Sequence, residues 1–153
     1  MERKSLKTFE DLECWKACRE LRVFVAHTLC KSLAQDERYR MGDQILRAAC
    51  STTANIAEGY GRFHYLDNAK FCSNARGSCW ETIDHMITAA DEDLISEDLL
   101  NQGRAIANKA VALLNGYISY LRKAATTTPL TMAALPNNFQ LITFNFQCPI
   151  SCP

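Results

Sequence analysis

From Thr8 to Ala125 the chain repeats apolar residues at steps of three and four without a single proline, and all four prolines (Pro129, Pro136, Pro149, Pro153) fall after that stretch. Proline inside a helix removes a backbone hydrogen bond and clashes with the preceding turn, at a cost of roughly 3 kcal/mol. A long proline-free stretch with helical periodicity and no alternating β-branched run therefore commits residues 1–125 to helices. The remaining residues, 126–153, carry no charged residue at all, whereas all 17 Lys+Arg and all 17 Asp+Glu lie before them. Two compositions are joined, and the chain divides into a helical domain over 1–125 and an uncharged, proline-containing tail over 126–153.

Four helices follow from the pattern. Thr8 with Asp11 three residues on has the spacing of a capping box, and Leu12, Trp15, Cys18, Leu21, Val25 and Leu29 then recur on one face, which predicts a helix over about 10–33. Ile45, Ala49, Thr52, Ile56 and Tyr60 predict a second over about 37–61, ended by Gly59 and Gly61. Ala69, Cys72, Ala75, Cys79, Ile83, Met86 and Ala90 predict a third over about 65–92. Ser96 is a candidate N-cap for a fourth over about 97–125, where Leu99, Gly103, Ile106, Ala110, Leu113, Tyr117 and Leu121 alternate at four and three. Links of a few residues between long helices make antiparallel neighbours, so the expected architecture is all-α, an up-down-up-down four-helix bundle. Phe24, Phe71, Trp80 and Leu100 lie outside a single narrow stripe. That surplus predicts a second buried face and hence an oligomer.

No apolar run is long enough to span a bilayer, and the N-terminus lacks the apolar core of a secretory signal. A cytoplasmic location is expected, and with it eight reduced cysteines. Cys14 with Cys18, and Cys72 with Cys79, share helix faces as small hydrophobes, while no C-x-x-C pair suggests zinc. Cys148 and Cys152, flanking Pro149-Ile150-Ser151, would be the reactive thiols if exposed.

Ala54-Asn55-Ile56-Ala57-Glu58-Gly59-Tyr60-Gly61-Arg62, together with Phe9-Glu10-Asp11-Leu12-Glu13-Cys14-Trp15, resembles the bacterial four helix bundle protein family. That family includes proteins encoded in ribosomal RNA intervening sequences and the accessory variability determinant of diversity-generating retroelements. Asp36-Glu37-Arg38-Tyr39, Leu46-Arg47-Ala48-Ala49, Gly77-Ser78 with Glu81-Thr82, and Leu114-Asn115-Gly116 extend the likeness over about residues 8–124. The resemblance implies a four-helix protomer in a homopentameric ring, with no established enzymatic activity. For the retroelement members it implies binding to nucleic acid and a reverse transcriptase through a basic surface. The present chain departs in being neutral overall and in carrying Ser51-Thr52-Thr53 where the family has Ser-apolar-Pro. The tail after residue 125 matches nothing in the family.

Candidate functional residues form two groups. Ser51, Asn55, Glu58 and Arg62 recur at four, three and four, a polar seam beside the apolar stripe of the second helix. It admits three readings: a solvated face, a partly buried network fixing register between helices or subunits, or a ligand contact. Arg3, Lys4, Lys7, Lys16, Arg19 and Arg22, with Tyr60 and Arg62, are the candidate nucleic-acid contacts, since stacking and phosphate-binding groups occur together there, with Phe63 and His64 beside them. In contrast, Glu81 to Asp98 contains seven acids and no Lys or Arg.

Enzymatic chemistry has little to rest on. A carboxylate-bridged di-metal site in a bundle requires Glu-x-x-His motifs, and none occurs; Glu81 and His85, four apart, could share one metal only. No cofactor and no metal are expected. In the tail, Ile142, Phe144 and Phe146 alternate with Thr143, Asn145 and Gln147, the period of a half-buried strand, as part of either a poorly ordered extension or a segment docked on the bundle. The expected protein is a cytoplasmic oligomeric binding or scaffolding module, with a nucleic-acid or reverse-transcriptase accessory protein as the alternative and a metal-dependent enzyme as the rival from another class.

Overall fold

The computed structural model describes residues 7–127; Arg3, Lys4 and the tail features at Phe139–Gln147, Cys148 and Cys152 lie outside them. Four long helical rods make up the described chain. The first, α1, spans 13–32: Glu13–Phe24, a π-helical turn Val25–Leu29 and a last turn Cys30–Ser32. The second, α2, spans 35–61: Gln35–Glu37, a π-helical turn Arg38–Gly42 and Asp43–Gly61. Then come α3, Tyr65–Asp91, and α4, Glu97–Thr127. α1 packs on α2 and α4, and α3 packs on α2 and α4, so α1 and α3 occupy opposite corners of an up-down-up-down bundle.

Three boundaries differ from the sequence expectation. Asp11 does accept a hydrogen bond from the Thr8 N–H at 3.2 Å, but the turn so capped is a separate 3-10 turn, Phe9–Asp11. Leu12 is extended at ψ 126, and α1 starts at Glu13 rather than near residue 10. α2 begins at Gln35, and α4 continues to Thr127.

The π-helical turn of α1 has a cause in the sequence. Leu21, Val25, Leu29 and Leu33 stand four apart, and at 3.6 residues per turn each such step drifts about 40° around an α-helix. A wider π turn absorbs the drift, and all four side chains stay in the core. A second π turn, Arg38–Gly42, precedes the regular helix that carries Ile45 and Ala49 into the core.

The core runs the length of the bundle and is filled by leucine, isoleucine, alanine and cysteine. Small residues allow close approach at two points. A Cβ on Gly59 would stand 2.7 Å from the Phe71 Cβ, and one on Gly103 would stand 2.5 Å from the Met86 Sδ and 3.0 Å from Phe24 Cε1. Phe24 and Phe71 pack partly buried within the protomer and Leu100 is fully buried, so of the four surplus apolar residues only Trp80, 51% exposed, remains outside. The inference from surplus to oligomer thus rests on Trp80 rather than on all four.

Candidate functional site

The polar seam of α2 splits in two. Its inner half turns toward α3: the Ser51 hydroxyl accepts hydrogen bonds from the Ser78 hydroxyl at 2.9 Å and from Asn55 Nδ2 at 3.0 Å, and Asn55 also donates to the Ser51 carbonyl at 2.9 Å. Its outer half is solvated. Arg62 pairs with Glu58 at 2.6 Å, both side chains about half exposed, and the Arg62 guanidinium lies 5.0 Å from the Phe71 ring centroid. Such an exposed pair contributes at most about 1 kcal/mol.

The family-like motif around the seam is therefore mostly helix-packing machinery. Ile56 is in the core, Gly59 lets α3 approach, and Tyr60 meets Phe9 edge-to-face at 6.4 Å, with Phe9 in turn edge-to-face on Trp15 at 5.4 Å. Gly61 has open space around it. The left-handed residue that turns the chain into α3 is not a glycine but Phe63, at φ 59, with its side chain largely solvent-exposed. A non-glycine residue there is strained by about 1–2 kcal/mol. Elsewhere, Arg38 donates to the Leu33 and Lys31 carbonyls at 3.0 Å each, closing the end of α1, and Arg76 reaches Asn115 on α4 at 2.7 Å.

A second buried polar link, not anticipated from the sequence, joins α3 to α4. Asn68 donates to the Tyr117 hydroxyl at 3.2 Å and accepts from the Cys72 thiol at 3.3 Å. Burial raises the Tyr117 hydroxyl above its ordinary range, the Asn68 hydrogen bond offsetting part of this. The spacing Asn68, Cys72, Ala75, with Asn at a core position, was the available signal. The four cysteines shared by α1 and α3 face one another across the bundle axis. Burial pushes the Cys72 thiol up to about 12 and that of Cys14 higher still. The Cys79 thiol is raised by its hydrogen bond with Cys18 and then by burial. Cys14, Cys72 and Cys79 so held are protonated and inert at neutral pH, whereas the contact with Cys79 moves the Cys18 thiol the other way, below its ordinary value.

The described basic candidates remain on the surface, along α1. Lys7, Lys16 and Arg19 are exposed and Arg22 is half-buried. Lys16 pairs with Glu13 at 2.6 Å, and Arg22 reaches Thr53 Oγ1 on α2 at 3.3 Å. Arg19 has no carboxylate in ion-pair range among the described residues. Glu10, Trp15, Lys16 and Arg19 line a shallow groove. Tyr60 and Arg62 lie at the end of α2, the end of the bundle where α1 begins; Tyr60 joins the α1 candidates through Phe9 and Trp15, whereas Arg62 turns to Phe71 on α3. On the opposite corner, α3 presents Gly77, Trp80, Glu81 and Asp84 to solvent. Glu81 and His85 lie 3.9 Å apart, and no group of three metal-ligating side chains assembles among the described residues. No described helix is long and apolar enough to cross a membrane.

Comparison with known proteins adds a family and a fold. Residues 10–116 match the model of the 23S rRNA-intervening sequence protein family. A crystal structure from Bacteroides thetaiotaomicron VPI-5482, described as a protein with unknown function from the S23 ribosomal protein family, is similar in fold. It has a TM-score of 0.58 and 22% identity over 71% of this chain and 98% of that one. No curated protein matches the sequence.

Proposed function

The chain belongs to the 23S rRNA-intervening sequence protein family, and from that premise we propose that it is a non-enzymatic, homo-oligomeric binding or scaffolding module. The observation that carries this reading is where the family-like motif points. Its polar members bond to neighbouring helices or to one another (Ser51 to Ser78, Asn55 to Ser51, Arg62 to Glu58) and do not converge on a cavity. Chemistry needs convergent groups around a space for substrate, whereas a scaffold needs a rigid body with surfaces to offer. Trp80 supplies such a surface, because a large aromatic half exposed at the middle of a helix is what an association face presents. A ring of five copies in the cytoplasm is the form we assign to it.

Light scattering on the purified full chain, over a range of concentrations, tests the assembly. A monodisperse oligomer is expected, and a monomer at every concentration overturns the reading.

A second reading is favoured by the α1 stripe. Lys16 and Arg19 line a groove on α1 with Trp15 and Glu10, cations beside an aromatic as in single-strand binders, and the family's name refers to ribosomal RNA. On this reading the partner is RNA, or a reverse transcriptase working on it. A 260/280 nm absorbance ratio typical of pure protein at low salt, with no shift of a labelled single-stranded RNA on titration, overturns it.

A further inference from the structure

We propose that the uncharged tail of this chain, through residues 139–146, docks on an apolar patch of its own bundle formed by Phe63, Tyr65 and Leu66 at the turn from α2 into α3. The proposal concerns a single copy and stands apart from the oligomeric reading above.

That turn is where the described surface concentrates its apolar side chains. Six large hydrophobic residues are exposed among the described residues, and three of them fall within four consecutive positions: Phe63 at 79%, Tyr65 at 39% and Leu66 at 64%. The other three, Val23, Tyr39 and Trp80, lie on three different rods. Apolar residues exposed singly are ordinary, whereas a contiguous group marks a docking surface. Phe63 also holds a left-handed backbone, φ 59, which glycine or asparagine adopts with less strain. The turn thus presents a large aromatic ring despite the strain of doing so.

What covers the patch follows from where α4 stops. Asn68 on α3 bonds to Tyr117 on α4 at 3.2 Å, and further along Met86 on α3 lies against Gly103 on α4, so the two helices run antiparallel. α3 begins at Tyr65, just before Asn68, while α4 continues well past Tyr117 to Thr127. At 1.5 Å per residue, α4 passes the start of α3 by roughly 5–10 Å. The chain therefore leaves the bundle beside the turn that carries Phe63, Tyr65 and Leu66. From Thr127 to Ile142 an extended chain spans up to about 50 Å, ample for a return to that turn. Tethered in this way, the tail meets the patch at an effective concentration on the order of millimolar, so a contact of modest strength is occupied.

Composition selects the same occupant. Residues 128–153 contain no Asp, Glu, Lys or Arg, and Ile142, Phe144 and Phe146 alternate with Thr143, Asn145 and Gln147. A segment so built lays three apolar side chains on one surface without taking a charge out of water.

Photo-crosslinking of the full chain is the test, with far-UV circular dichroism as the check that the helices persist in each variant. Benzoylphenylalanine in place of Leu66, irradiated in dilute protein, should attach to residues 139–146 and give a product of monomer mass on a denaturing gel. No Lys or Arg follows Lys123, so trypsin releases the tail as one peptide, 124–153, in which fragmentation mass spectrometry assigns the site. The same probe in place of Trp80 should give about tenfold less tail product, since tethering alone favours neither position. Ile142→Asp with Phe144→Asp and Phe146→Asp should lower the yield from the Leu66 position about tenfold, because docking would strip water from carboxylates. Phe63→Asn suits the left-handed backbone and removes only the ring, and should lower the yield about threefold. Absence of tail product from the Leu66 position, or equal yields from the Leu66 and Trp80 positions, overturns the proposal. Products of dimer mass only would give the patch to a second copy and overturn it as well. So would a yield unmoved by the three aspartates with helical content intact, which would mean that the tail passes nearby without docking.

Discussion

Gly59 and Phe71 meet so closely across the contact of α2 with α3 that a Cβ on residue 59 would lie 2.7 Å from the Phe71 Cβ and 3.2 Å from the Asn68 carbonyl oxygen. Neither obstacle is the end of a flexible side chain, so the helices themselves would have to separate. Gly59→Ala should destabilise the fold by about 1–3 kcal/mol through overpacking, more than the roughly 1 kcal/mol that alanine gains over glycine in a helix. Gly77→Ala, with open space around it, should instead stabilise the protomer by up to about 1 kcal/mol. Urea unfolding of the two variants side by side decides it, and equal midpoints would mean that the α2–α3 contact yields freely.

Arg38 stands at the start of α2 but works on α1, donating to the Leu33 and Lys31 carbonyls. The last carbonyls of a helix have no partner within it, and a guanidinium also suits the negative end of the helix dipole. Arg38→Ala should cost about 1 kcal/mol, while Lys16→Ala, which loses only a surface pair with Glu13, should stay within about 0.5 kcal/mol of wild type. Hydrogen exchange at the end of α1, rising in the first variant and unchanged in the second, would locate the effect.

The rods, their order and their antiparallel run were legible because each depends on local periodicity, which one sequence carries in full. The π-helical turn of α1 was not read, although its cause is in the sequence: the step of four from Leu21 to Leu33 signals a drift only to a reader who asks how it is absorbed. Gly59 was read as a helix stop, yet its role is packing, and the stop is made by Phe63 in a left-handed conformation. Which glycine faces a neighbour is a tertiary fact. The seam failed as one unit for a related reason. Ser51 and Arg62 share a face only nominally, and over three turns that face rotates from the α3 contact to solvent.

The crossing hydrogen bond from Ser78 to Ser51 should therefore matter more than the ion pair further along. Ser78→Ala is expected to cost about 1 kcal/mol, and Glu58→Ala less than about 0.5 kcal/mol. A double-mutant cycle on Ser51 and Ser78 should return a coupling of about 0.5–1 kcal/mol, and a value of zero would reduce their contact to mere proximity. Asn55→Leu removes two bonds that stay on α2 and should disturb assembly more than Lys16→Ala only if the inner seam transmits to the α3 face.

Exposure separates the thiols before any pH change. Cys50 is exposed, whereas Cys14, Cys18, Cys72 and Cys79 are buried. Maleimide labelling of the native protein, followed by peptide mass spectrometry, should modify Cys50 quickly and the four buried thiols only at the rate of unfolding. Rapid native labelling of Cys72 would contradict the packing described for α1 and α3.

Raising the pH should turn that same burial against the fold. The Cys72 thiol is pushed by burial from an ordinary value of 9.0 up to about 12, and burial moves Cys14 and the Tyr117 hydroxyl the same way. Each group keeps its proton in the folded protein at a pH where the unfolded chain has already lost it, so the folded state binds more protons there. Stability must then fall as pH rises, and it does so only above the unfolded value. Urea unfolding should give a flat plateau up to about pH 8.5 and, beyond it, a loss approaching 1.4 kcal/mol per pH unit for each thiol ionised only in the unfolded state. Cys72→Ala will lower the plateau by removing buried volume, but it should also make the decline shallower by one group's worth. A decline of unchanged slope would mean that Cys72 already ionises in the folded bundle, and that the space between α1 and α3 admits water.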